Sequence, residues 1–140
     1  MVIDENTKTA LENLIYCGIV CEQNAAAGTV KVTREDKGDK VTGELFVLQR
    51  GTKETKDFWI PAIGDAVLCI QLPNFSGKGT GEGFVLGAFY SSVDAPVESS
   101  PEARSVHFAD GSYVKSDGAG NMEIHAAGNL TLTGATVNIN

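Results

Sequence analysis

The sequence predicts an all-β protein in two parts. An OB-fold-like barrel is expected over residues 16–90. Residues 105–140 are expected to form one strand-ribbon of a trimeric, intertwined, triple-stranded β-helix, or β-prism. Three observations carry this reading. Short alternating apolar–polar runs fill the chain between residues 16 and 90, with turn signals every ten or so residues. A Pro/Ser-rich stretch over 91–104 then separates them from the tail. In the tail, apolar pairs two residues apart recur at a nearly constant spacing, with glycines and Asp–Gly steps in place of ordinary loops.

Residues 1–15 are an N-terminal extension with a short helical candidate at 4–14, where Asp4 is placed to cap and Ala10, Leu11 and Leu14 give a partial apolar stripe. Tyr16 to Glu22 reads as the first barrel strand and Thr29 to Arg34 as the second, with Val30 and Val32 inside. Glu35 to Lys40 is a charged turn, Gly43 to Gln49 the next strand, and Gly51 to Asp57 a polar loop. Pro61 and Gly64 bring the chain round so that Ala66 to Leu72 starts a new strand. Pro73 to Gly83 is a glycine-alternating loop, and Phe84 to Tyr90 closes the barrel. The linker over 91–104 carries two prolines, four serines and three acids.

The apolar pairs of the tail are Val106/Phe108, Met122/Ile124, Leu130/Leu132 and Val137/Ile139, and the last three begin at 122, 130 and 137. Each pair reads as a short strand with one apolar face and a polar face bearing His107, Glu123, Thr131 or Asn138. Strands this short bury their stripe only by stacking on themselves or on other chains, because a lone narrow ribbon is marginal in water. Three copies about one axis would place these eight residues in a central column, and Ile124→Asp or Leu132→Asp is expected to abolish the trimer. The alternative is that these are the last strands of an ordinary sandwich or barrel.

Composition limits the function classes. The net charge is −7 with a pI near 4.7, which argues against gripping a phosphate backbone and hence against a nucleic-acid partner. Residues 91–140 hold six acids and two bases, so the tail is the more acidic part per residue. Cys17, Cys21 and Cys69 are read as buried thiols, because no second Cys or His pair completes the half-site that Cys17 and Cys21 suggest. Free thiols and an N-terminus without an apolar h-region suit assembly in a reducing cytoplasm.

The order of features resembles a known family. Trp59-Ile60-Pro61 with Gly64-Asp65 and Val67, the Pro73-Asn74 to Tyr90 hairpin ending Val85-Leu86-Gly87-Ala88-Phe89-Tyr90, the Pro/Ser linker, the Asp110-Gly111 turn and the repeats ending at Asn140 look like the phage baseplate assembly protein V, or tail-spike, family of contractile tails. The resemblance runs from about Gly18 to Asn140. It implies a homotrimeric structural spike assembled in the bacterial cytoplasm and carried in the baseplate of a virion or an R-type bacteriocin-like particle. It further implies a hub protein bound at the barrel end and transient passage through the target envelope on sheath contraction. Several members of that family bind an iron ion at the tip through His-x-His. Here His107 and His125 are eighteen apart on the polar phase of their strands, so solvent-facing histidines are expected, although a three-fold would bring three copies of either near its axis. No cofactor is expected, and any tip metal would come through a partner or an unusual His site. The ending Asn138-Ile139-Asn140 instead suggests contact with a separate tip protein, a PAAR-repeat cone in related systems.

Other signals are set aside. Gly77 to Gly83 tempts a phosphate-loop reading, but Gly79 separates Lys78 from Thr80 and a strand follows in place of a helix. No Ser/His/Asp or Cys/His constellation has local support, so no catalytic residue is expected. An OB-fold binding module for nucleic acid or carbohydrate is the second reading. It would require a basic face with exposed aromatics, whereas Phe58, Trp59, Phe84, Phe89 and Tyr90 are expected in the core or between subunits. A hydrolase carried on the spike would need more chain length.

Overall fold

The computed structural model describes residues 2–74 and 81–140; the remainder of the Gly77 to Gly83 loop reading lies outside the described residues. Helix α1 (Glu5–Leu14) is capped by Asp4, whose Oδ1 accepts from the Thr7 backbone N–H at 2.7 Å, and it buries none of its residues. Among the described residues no helix is long and apolar enough to cross a membrane.

Strands β1 (Ile15–Asn24), β2 (Thr29–Arg34), β4 (Leu45–Val47), β5 (Ala66–Gln71) and β6 (Gly83–Phe89) close into a barrel, and a two-residue strand β3 (Lys40–Val41) extends β2 at its edge. The order round the barrel is β1-β5-β6-β4-β2 and back to β1, antiparallel except for the parallel β4–β6 pair. This is the OB-like arrangement of five strands. The strand expected at Gly43–Gln49 is shorter, because only Leu45–Val47 has ladder partners on both sides. Within the expected charged turn, Glu35–Lys37 forms a 3-10 turn that ends on Gly38 in the left-handed region.

Alternation sorts the barrel residues. Tyr16, Val20, Val30, Val32, Leu45, Val47, Val67, Cys69 and Val85 point inward and make one core, with Trp59 and Ile60 packed against it. Gly18 shares the inward phase where β1 passes closest to β2; a Cβ there would overlap Val32 Cγ1 and sit 2.8 Å from the Thr33 carbonyl oxygen. Cys69 lies fully in the core, and desolvation pushes its thiol up to about 12. The other two thiols depart from the expected burial. Cys17 is exposed, because it takes the outward phase of β1, and Cys21 is half-buried as the extra residue of a bulge, its Sγ 3.4 Å from the Lys31 carbonyl.

Two polar devices fix the barrel ends. Arg34, almost buried, lies over the Tyr16 ring at 4.0 Å and donates to Asn13 Oδ1 at 2.7 Å and through both Nε and Nη2 to Asp36. It thereby ties α1 and the 3-10 turn to the first strand. At the other end, the Gln49 amide accepts from the Trp59 N–H at 3.1 Å and donates to the Trp59 carbonyl at 2.8 Å, standing in for a strand neighbour. Gln23 donates to the carbonyl of buried Pro61 at 2.8 Å, so residues 59–65 are held across the barrel and return the chain into β5.

The described chain divides into the units Met1–Asp94 and Ala95–Asn140. The second contains one antiparallel sheet in the order β7 (Arg104–His107), β8 (Tyr113–Ser116) and β9 (Met122–His125). Residues 95–103, part of the expected linker, fold with this unit: Glu98 accepts from Lys115 Nζ at 3.3 Å and approaches His107 Nε2 at 3.6 Å.

Candidate functional site

The tail has two unlike faces, and register decides what each presents. Val106 pairs with Val114 and Val114 with Ile124, so three branched aliphatic side chains form one row across β7, β8 and β9. Met122 lies two residues from Ile124 on the same face, opposite Ser116 and Arg104. The sequence reading missed β8 itself. Its signal was present in the alternation of Tyr113-Val114-Lys115-Ser116 between two Asp–Gly turns.

Those turns explain two of the acids in the tail. Asp110 Oδ1 accepts from the Ser112 N–H at 2.9 Å, and Gly111 has φ +92°. Asp117 accepts from the Asn121 side chain at 2.8 Å and from the Ala119 N–H at 2.7 Å, with Gly118 at φ +77°. These hydrogen bonds hold both carboxyls below their ordinary range.

The second face aligns His107, Tyr113 and His125 in one row. Their rings stack, with centroids 5.3 Å apart for His107–Tyr113 and 5.0 Å for Tyr113–His125. The two histidines, eighteen apart in sequence, therefore sit on either side of one phenol. A metal–nitrogen bond is about 2.0–2.1 Å, so the interposed ring prevents one ion from reaching both within a chain. Among the described residues no group of three or more His, Cys, Asp or Glu is placed to hold a metal. The Tyr113 hydroxyl donates to Glu123 at 2.8 Å, which raises its pKa. Desolvation raises the Glu98 carboxyl, but the bonds from Lys115, Ser105 and His107 outweigh it and leave it lowered.

All eight residues expected in a trimer column, Val106, Phe108, Met122, Ile124, Leu130, Leu132, Val137 and Ile139, are more than half exposed in the single chain, from 51% at Val137 to 88% at Ile139. Within the single chain the segments Leu130/Leu132 and Val137/Ile139, expected as strands of a trimer, are in no strand, and neither are Asn138 and Asn140. The physical reason is the ladder. A strand needs a neighbour to take its N–H and C=O groups, and the alternation Leu130-Thr131-Leu132-Thr133 supplies a strand pattern without supplying that neighbour.

The barrel offers little to a nucleic-acid or sugar ligand. The face of β2 and β4, which OB folds commonly use, carries outward Lys31, Thr33 and Phe46, one cation and one aromatic. Phe58, Leu48 and Leu86 line a shallow depression with Trp59, Arg50 and Asp57, where Arg50 and Asp57 pair with each other at 2.5 Å. Of the aromatics expected inside or between subunits, Phe58, Phe89 and Tyr90 are exposed in the single chain, at 69%, 48% and 59%. A comparison with protein-family models gives no match, and no curated protein matches the sequence.

Proposed function

We propose that the protein is a structural spike subunit of the baseplate protein V type. In this reading three copies join through their tails into a narrow β-prism, the barrel end docks to a baseplate hub, and the rod is driven through a target envelope when a contractile sheath shortens. The observation that supports it best is the tail's inventory of unsatisfied surface. Eight apolar side chains, all more than half exposed, lie in a segment whose last fifteen residues carry strand patterning and have no ladder partner among the described residues of their own chain. Three such sheets meeting by the Val106–Val114–Ile124 row enclose an apolar axis and turn the His107–Tyr113–His125 row outward. The segments at 130–132 and 137–139 then pair between chains, as an intertwined β-helix.

The mechanical consequence follows from connectivity. Detaching one chain from a closed, interwound prism breaks ladders with both neighbours at once, so resistance to load is cooperative. The short Asp–Gly turns leave few protrusions to catch during passage. The work asked of the protein is mechanical, with no catalytic residue assigned. Light scattering tests the core of this reading. The full chain is expected at three times 14.7 kDa, and a chain ending at Asp94 at lower mass or in concentration-dependent exchange. A full-length monomer at all concentrations would refute the spike.

A further inference from the structure

Isolated helices shorter than about 12–15 residues are marginal in water, and α1 has ten. Its N-terminal end is well made: Asp4 caps it, and Glu5 sits in the first turn, where the helix dipole favours a negative charge. Its C-terminal end is not. The chain passes straight into extended Ile15 with no left-handed glycine, and the last turn has no basic residue and carries Glu12 instead. Burial does not make up the difference. Residues 2–12 are exposed, Asn13 and Leu14 are half-buried, and Leu11, in the apolar stripe, is 55% exposed. Two side-chain contacts tie α1 to the barrel. Glu12 pairs with Lys37 at 3.2 Å between partly exposed side chains, a kind of pair that contributes little in water. Asn13 Oδ1 accepts from Arg34 Nη1 at 2.7 Å, and this bond, from a guanidinium that is 7% exposed, is the strong one. One residue beyond Leu14 the ladder begins, with Ile15 paired to Ile70 and Tyr16 to Cys69.

We propose that α1 is a strap that opens and closes at the Arg34 end of the barrel while the barrel stays folded, with the Asn13–Arg34 hydrogen bond as its catch. The inference is independent of the spike reading. Closed, the strap completes a chain of partners. Arg34 gives Nη1 to Asn13 and both Nε and Nη2 to Asp36, and it lies over the Tyr16 ring at 4.0 Å. Tyr16 in turn donates its hydroxyl to Gln71 at 3.1 Å. Opening removes one acceptor from this chain. Asp36 belongs to the 3-10 turn and Tyr16 to β1, so both still hold the guanidinium and the core strands need not move. The break falls between Leu14 and Ile15, where helix gives way to ladder, which is where a locally unfolding unit is expected to end. Nη1 is then left without its acceptor. An unpaired donor on a mostly buried charge is unfavourable, so the open strap is the minor state, and a carboxylate or phosphate oxygen reaching Nη1 would stabilise it.

Hydrogen exchange of the full chain, followed residue by residue by NMR, reads the strap directly. The amides of Thr9 to Leu14 are expected to be protected about 10- to 100-fold, and those of β5 at least about 1,000-fold more. Asn13→Ala removes the catch and should lower α1 protection about tenfold with β5 unchanged. If that variant also loosens β5, Asn6→Ala/Thr9→Ala decides. Both positions are exposed on α1, and the higher helix propensity of alanine should raise α1 protection about fivefold without touching β5. α1 and β5 exchanging together in the parent overturns the inference, because the helix then opens only with the barrel. An α1 without protection overturns it too, since no closed strap is populated. Protection of α1 that grows with protein concentration makes another copy the catch and is equally fatal. So is parental α1 exchange in either variant.

Discussion

Replacing Ile124 with Asp separates the single chain from the assembly. In one chain Ile124 is 61% exposed on β9, so the substitution should change the monomer's own stability by no more than about 0.5 kcal/mol. In the proposed prism that exposed part goes into the axis. Full burial of an isoleucine side chain contributes about 1.5–3 kcal/mol, and the fraction still to be buried corresponds to about 1–2 kcal/mol per chain, or about 3–5 kcal/mol for three symmetry-related copies. Three carboxylates brought to one axis would add several kcal/mol of desolvation and repulsion. At 1.4 kcal/mol per decade, the first effect alone weakens association by roughly two to four decades. Ile124→Ala should therefore weaken the trimer and Ile124→Asp remove it at micromolar concentration. Sedimentation velocity reads the mass, and circular dichroism confirms that the barrel is intact. Glu123→Gln, one residue away on the opposite face, serves as the control and should stay trimeric. A folded Ile124→Asp trimer would refute the axial column.

Three further outcomes are expected. Leu132→Asp should remove the trimer as Ile124→Asp does, although Leu132 belongs to no strand of the single chain; a normal sedimentation coefficient would show that 130–132 is not paired between chains. Gly18→Ala should cost about 1–3 kcal/mol in urea denaturation, because its Cβ meets the Thr33 backbone as well as the movable Val32 side chain; an unchanged midpoint would mean that the strands separate freely there. For pH, the Arg34 side-chain hydrogen bond holds the Asp36 carboxyl below its ordinary 3.8. A depressed folded value means that the unfolded state binds the proton more readily. The stabilisation is therefore present above about pH 4 and lost as pH falls through the folded value. The melting temperature of Asp36→Asn should accordingly decline less between pH 5 and pH 2 than that of the parent (a window set by ordinary carboxyl values), and equal slopes would dismiss the pair as a source of acid sensitivity.

Much of the barrel was legible because its signals are local. Asp4 precedes its helix, Val30 and Val32 alternate with polar residues, and Pro61 and Gly64 mark the turn into β5. Each is dictated by backbone sterics or by the two-residue period of a strand. The outward phase of Cys17 was misread, since an apolar run such as Tyr16 to Val20 does not reveal which of its two faces meets the core. Tyr113 shows the same limit from the other side. Its strand has only four residues, and nothing local aligns it between two histidines eighteen positions apart.

The sequence by itself determined the strand periodicity, the turn positions, the acidic balance and the excess of apolar side chains in the tail, because these depend on residue type and nearest neighbours. The tertiary structure decided what no neighbour encodes. It closed five strands in the order β1-β5-β6-β4-β2, put Cys69 inside and Cys17 outside, and set the His107–Tyr113–His125 row against the Val106–Val114–Ile124 row. It also left residues 126–140 without a strand, although they carry a strand's pattern. Alternation specifies a face but not its partner, and a ladder forms only where a second strand is within hydrogen-bonding reach.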